Sequence, residues 1–69
     1  MISIKNKVEK LRKEEGMTQQ SLADRMGVSR QTIISLENGK YNPSIMLAYK
    51  IARTFQLSIE EVFIFEEEI

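Results

Sequence analysis

The chain contains no cysteine and no histidine. The first absence removes disulfides, thiolate nucleophiles and zinc–thiolate sites; the second removes imidazole as a proton carrier and metal ligand. Tryptophan is also missing, and only one proline and three glycines interrupt the chain. No apolar run approaches the roughly 18 residues that a membrane span requires. The N-terminus lacks the apolar core of a secretory signal, so a cytoplasmic protein with no membrane attachment is expected. Carboxylates are abundant, but they stand at helix-surface spacing or in the tail. With no convergent reactive set legible, no enzyme, no cofactor and no metal site is expected.

What remains is 69 residues, 42% hydrophobic and 29% charged, the balance of one folded domain over 1–69 rather than of a disordered chain. A domain this small buries only about 60% of the surface its unfolded chain exposes. It is marginal alone, and a further source of stability is expected. The net charge is zero, which at first argues against nucleic acid, because phosphate contacts supply most non-specific affinity. The distribution qualifies that. Residues 5–40 carry eight basic and five acidic side chains, a balance of +3, whereas residues 41–69 carry two and five, a balance of −3. One basic and one acidic half suit a protein that meets DNA with one end, although so short a chain can also be uneven by chance.

Along the chain, residues 1–4 alternate apolar and polar and read as a strand or docked extension. From about Asn6, the series Val8, Leu11, Arg12, Glu15 has helical spacing and stops at Gly16. Met17 then turns into the core. Thr18 caps a second helix with Leu22, Ala23 and Met26 inward, closed by Gly27. Val28 packs inward and Ser29 caps a third helix, whose inner face holds Ile33 and Leu36 and whose end is Asn38-Gly39. Pro43 disfavours helical geometry at Asn42, so 41–43 is a loop. Ser44 caps a fourth helix with the strongest periodicity of the chain: Leu47, Ala48, Ile51, Ala52, Phe55. Ser58 and Glu61 have the spacing of a capping box opening a fifth helix, with Ile59, Val62 and Phe63 inward. Phe63-Ile64-Phe65 loses helical spacing and reads as a short strand followed by an acidic tail.

Residues 18–39 are therefore two short helices joined by a tight glycine-containing turn, the second opening with polar side chains. That is the layout of a helix-turn-helix DNA reader. The segments LRKEEGMTQ at 11–19, L-A-x-x-x-G-V-S at 22–29, RQTI at 30–33 and LENGKYNPS at 36–44 resemble the Xre family, the lambdoid phage repressor and Cro type. The resemblance covers about residues 5–63 and is nearest to the small cytolysin-repressor-like members. It implies an all-α, five-helix DNA-binding bundle acting as a homodimer on a palindromic double-stranded operator. Pairing of the two strand-like termini, Ile2 and Ile4 with 63–65, would add a small two-stranded antiparallel sheet.

A reading helix must bury one face and leave its opposite face free for the major groove. Ile33, Leu36 and Glu37 fall on one side; Arg30, Gln31, Ile34 and Ser35 fall on the other. Arg30 can pair bidentately with guanine or clamp a phosphate, and Gln31 can pair with adenine. Ile34 serves either as edge packing or against a thymine methyl, and Ser35 reaches bases or backbone. Candidate phosphate contacts are Thr18, Gln19 and Ser29 at the helix starts and Asn38, Lys40 and Tyr41 beyond the reading helix. Arg12 and Glu37 occupy inward positions where a charge is normally excluded. The family's matching arginine and glutamate pair across helices 1 and 3, so the resemblance implies an ion pair here. The chain departs from the family at Ser21, where a glutamate is common, and at Ile34, where a smaller or polar residue is commoner.

The run Leu57, Ile59, Val62, Phe63, Ile64, Phe65 is more apolar than a lone small domain should expose, which places the two-fold interface in about 55–69. The alternative is that these residues only complete the core of one chain. Two other function classes remain. An antitoxin that binds an unidentified protein partner and represses its own operon would need a sticky segment outside the DNA domain, for which only the acidic tail is available. A structural mini-domain without DNA would not need the polar face of helix 3.

Overall fold

The computed structural model describes residues 2–67, with side chains over residues 5–66. The order of elements is β1 (Ile2–Asn6), α1 (Val8–Glu14), α2 (Gln19–Met26), α3 (Arg30–Glu37), α4 (Ile45–Thr54), α5 (Ile59–Val62) and β2 (Phe63–Glu67). This is the expected five-helix bundle with a two-stranded antiparallel sheet. The expected acidic tail falls partly on Glu68, which with Met1 and Ile69 lies outside the described residues.

None of these helices is long enough to persist alone in water; their ends are fixed locally and their faces by packing. Thr18, Ser29, Ser44 and Ser58 cap α2, α3, α4 and α5, each side chain accepting the backbone N–H three residues on. At Ser58 the box is complete, because Glu61 accepts the Ser58 N–H in return at 3.0 Å. That backbone hydrogen bond holds the Glu61 carboxyl below its usual pKa, with the Ser58 hydroxyl as the next cause. At Thr18 the missing glutamate is replaced by another link: the Ser21 hydroxyl donates back to the Thr18 carbonyl at 3.0 Å.

The first four helices stop in the same way. Around Gly16, Gly27, Gly39 and Gln56, two N–H groups fold back onto the last turn, as in Leu57 to Ala52 at 2.9 Å and Gln56 to Arg53 at 3.0 Å. The geometry needs a positive φ. Three sites supply it with glycine, but Gln56 adopts φ 59° with a full side chain, a conformation that disfavours most residues. No sequence signal marks that stop.

Helix α1 begins at Val8, two residues later than its periodicity predicts, because Asn6 is claimed by the sheet. It lies opposite Phe63, Ile4 opposite Phe65 and Ile2 opposite Glu67. The ladder thus runs beyond 63–65 into the acidic end. Asn6 Oδ1 accepts the Val8 N–H at 3.1 Å, and its Nδ2 donates to the Leu36 carbonyl at 2.9 Å. One side chain thereby joins β1, the start of α1 and the end of α3.

The core is built from Val8, Leu22, Ile33, Leu36, Ile51 and Val62, all fully buried. Val62 and Phe63 belong to this core, which corrects their assignment to a surface between two chains. A one-turn α5 runs straight into β2, and the Val62 carbonyl accepts the Lys7 N–H at 2.9 Å, so both side chains are drawn beneath the helices. Leu57 and Ile59 are half-buried against the same cluster. Of the residues expected at an interface, Ile64 and Phe65 face solvent. Truncating Ile51 to Ala should cost ~2–5 kcal/mol, against about 0.5 kcal/mol or less for Glu14→Ala on the surface; urea unfolding of both variants provides the comparison.

Candidate nucleic-acid interface

Ser29 sets the start of α3: its Oγ accepts the Thr32 N–H at 3.1 Å and shares a hydrogen bond with the Thr32 hydroxyl at 2.9 Å. From that start, Ile33 and Leu36 point into the core while Arg30 and Gln31 are exposed. Ile34 and Ser35, one turn on, are half-buried. Gln31 Nε2 lies 3.3 Å from Ser35 Oγ as its donor, a long bond that a nucleic-acid edge could displace. The outer edge of α3 therefore offers a guanidinium, a carboxamide, a hydroxyl and one aliphatic side chain.

Behind that edge lies a buried charge. Arg12 donates from Nε to Glu37 Oε2 at 2.8 Å and from Nη2 to Glu37 Oε1 at 3.2 Å, forming a fork. Its Nη1 donates to the Met17 carbonyl at 2.8 Å. The side chains of Arg12 and Glu37 are only 8% and 3% exposed. Removing two charges from water is expensive unless their hydrogen-bonding capacity is met. Here it is: among the described residues no buried side-chain N or O atom lacks a partner. The hydrogen bond that Arg12 donates to Glu37 raises the Arg12 pKa most; burial opposes that, and the charges of Glu37 and Glu9 add to the rise.

The flanking residues fall into two groups. Asn38, Lys40 and Tyr41 follow α3 directly and are exposed. Thr18 and Ser29 are exposed too, but their hydroxyl oxygens are engaged as caps. Gln19 is half-buried, and its Nε2 donates to Glu37 Oε1 at 3.2 Å. Lys50, which the sequence pattern does not single out, donates from Nζ to the Met26 carbonyl at 3.0 Å and ties α4 to the end of α2. Also outside the expected set are Ile45, Met46 and Tyr49, large apolar side chains exposed on α4, with Ile45 at 77%. Their signal was available: all three lie off the Leu47–Ala48–Ile51–Ala52 stripe. Pro43, Ile45, Ala48, Ile59, Phe63 and Phe65 line an apolar groove beside them.

The helix-turn-helix family model HTH_3 matches residues 8–62. An uncharacterized HTH-type transcriptional regulator from Archaeoglobus fulgidus is 54% identical over 94% of this chain and 92% of its own. The competence pilus inhibition repressor of Acinetobacter baylyi is 43% identical over 86% of this chain and 54% of its own. Among solved structures, the restriction-modification controller protein C.AhdI from Aeromonas hydrophila superposes with a TM-score of 0.72 and 27% identity, over 80% of this chain and 83% of that one.

Removing either partner of the buried pair, by Arg12→Ala or Glu37→Ala, should cost ~3–5 kcal/mol. The double variant should fall short of the summed losses by about 1 kcal/mol or more. Strict additivity in urea unfolding would mean the two charges do not support one another.

Proposed function

The chain belongs to the helix-turn-helix family, and from that membership we propose a sequence-specific transcriptional regulator of double-stranded DNA, a repressor that holds a palindromic operator as a homodimer. One observation carries this reading: α3 hides Ile33 and Leu36 while turning Arg30 and Gln31 to solvent in its first turn. A helix so divided can enter the major groove with its N-terminal side chains against base edges. Arg30 then serves guanine or a phosphate, Gln31 serves adenine, Ile34 a thymine methyl and Ser35 a base or the backbone. Asn38, Lys40 and Tyr41 hold phosphates beyond α3, and Thr18, Gln19 and Ser29 hold them at the helix starts, contributing register and affinity rather than sequence choice.

The count of reading helices supports the homodimer. One copy carries a single such helix, α3, whereas the half-sites of a palindromic operator repeat roughly 34 Å apart. A second copy is needed to read the second half-site. With Val62 and Phe63 committed to the core, the dimer face is Ile45, Met46 and Tyr49 of α4 together with Ile59 and Phe65 at the apolar groove. Arg53 and Glu60 border the adjoining depression, which shares Ile59 with that groove. A two-fold contact can set the cation of one copy against the carboxylate of the other. Repression is by occlusion: the dimer covers an operator that overlaps a promoter. The Acinetobacter relative, named a repressor, supports the direction of control.

Gln31→Ala should weaken cognate binding by ~1–3 kcal/mol and leave affinity for random duplex unchanged in a gel-shift titration; equal loss on both DNAs would remove Gln31 from base reading. Ile45→Glu should turn a sedimenting dimer into a monomer at micromolar concentration, while a wild-type protein that sediments as a monomer would remove the dimer altogether.

A further inference from the structure

Helices α2 and α3 pack against each other on either side of a short turn. The turn through Gly27 joins the end of α2 to the start of α3, so backbone connectivity fixes only that junction. The start of α2 and the end of α3 are the open ends, and only side chains can set their separation. Gln19 is the first residue of α2 and Glu37 the last of α3. Gln19 Nε2 spans the opening and donates to Glu37 Oε1 at 3.2 Å. Arg12 holds the same carboxylate and, through Nη1, the Met17 carbonyl at 2.8 Å, just before α2 begins.

We propose that Gln19 is a positioning residue that fixes the angle of the DNA-reading helix, bracing the start of α2 against the buried Glu37 at the end of α3. This rests on the DNA-reading function proposed above and assigns Gln19 a role different from a phosphate contact alone. A carboxamide nitrogen carries two hydrogens. One is committed to Glu37, so the side chain is held in one orientation before any nucleic acid arrives. The brace matters where α3 must present Arg30 and Gln31 to particular base edges. On random duplex, where phosphates supply the affinity, the angle matters little.

The test compares Gln19→Ala and the similarly sized Gln19→Met with the wild-type protein at matched salt, on an operator selected by the wild type from a random-sequence duplex library and on random duplex. Thermal melting is recorded in parallel. Both variants should lose about tenfold more affinity for the operator than for random duplex. Equal weakening on both duplexes would show a phosphate contact alone and overturn the proposal. Unchanged operator binding would overturn it as well. If the alanine variant does not fold, the methionine variant decides, because it keeps the packing and loses only the hydrogen bond. Wild-type protein that binds no duplex would sink the DNA-reading function and this proposal together; wild-type binding with either overturning pattern sinks the proposal alone.

Discussion

The forked contact between Arg12 and Glu37 organises the face that the rest of the protein presents. It joins α1 to the far end of α3 and lies almost entirely out of water. Such a pair is tolerable only with its remaining hydrogen-bonding groups occupied. The Met17 carbonyl and the Gln19 carboxamide occupy them. These two partners come from the connection that follows α1 and from the first residue of α2. An apolar contact could have held the same helices, but it would have let them slide. Directional bonds to one carboxylate leave α3 little freedom to tilt, and tilt is what a groove-reading helix must control.

The bulk of the stabilisation comes from elsewhere. The fully buried residues are aliphatic and are contributed by α1 through α5. No single helix could bury its stripe alone, so the helices are ordered by one another. The polar devices decide boundaries and angles. Serine and threonine caps start the helices, folded-back amides stop them, and Asn6 fastens the sheet to both α1 and α3. This division leaves outside the first turn of α3 and the apolar face of α4, the two surfaces on which the proposed function rests.

Much of this was legible because it is local. A cap is written by one hydroxyl residue, and α4 is written by five apolar side chains at helical spacing. What escaped depends on contacts far apart in sequence or on a change of period. Asn6 reads as the start of a helix; that it bonds the Leu36 carbonyl, thirty residues on, cannot be derived from spacing. Gln56 takes a left-handed conformation without the glycine that would announce it. The run 57–65 passes from a single helical turn into a strand, and at that change the inward side becomes ambiguous. Val62 and Phe63 therefore read both as inward residues of the fifth helix and as part of a two-fold interface; they are core, and the large exposed apolar side chains include Ile45 and Met46. A charge at an inward position, such as Arg12, signals that a partner is needed; its identity came from the family resemblance and not from the spacing.

The antiparallel ladder has a topological consequence. Ile2 lies opposite Glu67, so the described chain leaves its fold where it entered, with all five helices inside one nearly closed ring. A short linker could complete that ring, and the exposed stretch around Lys40 to Asn42 could serve as the new opening. Such a permutant would keep every helix, cap and core contact while the order of synthesis changed. The same proximity means that chain leaving Ile2 and chain leaving Glu67 set out from one region of space, so attachments made beyond either residue are equivalent for anything that approaches the far side of the molecule.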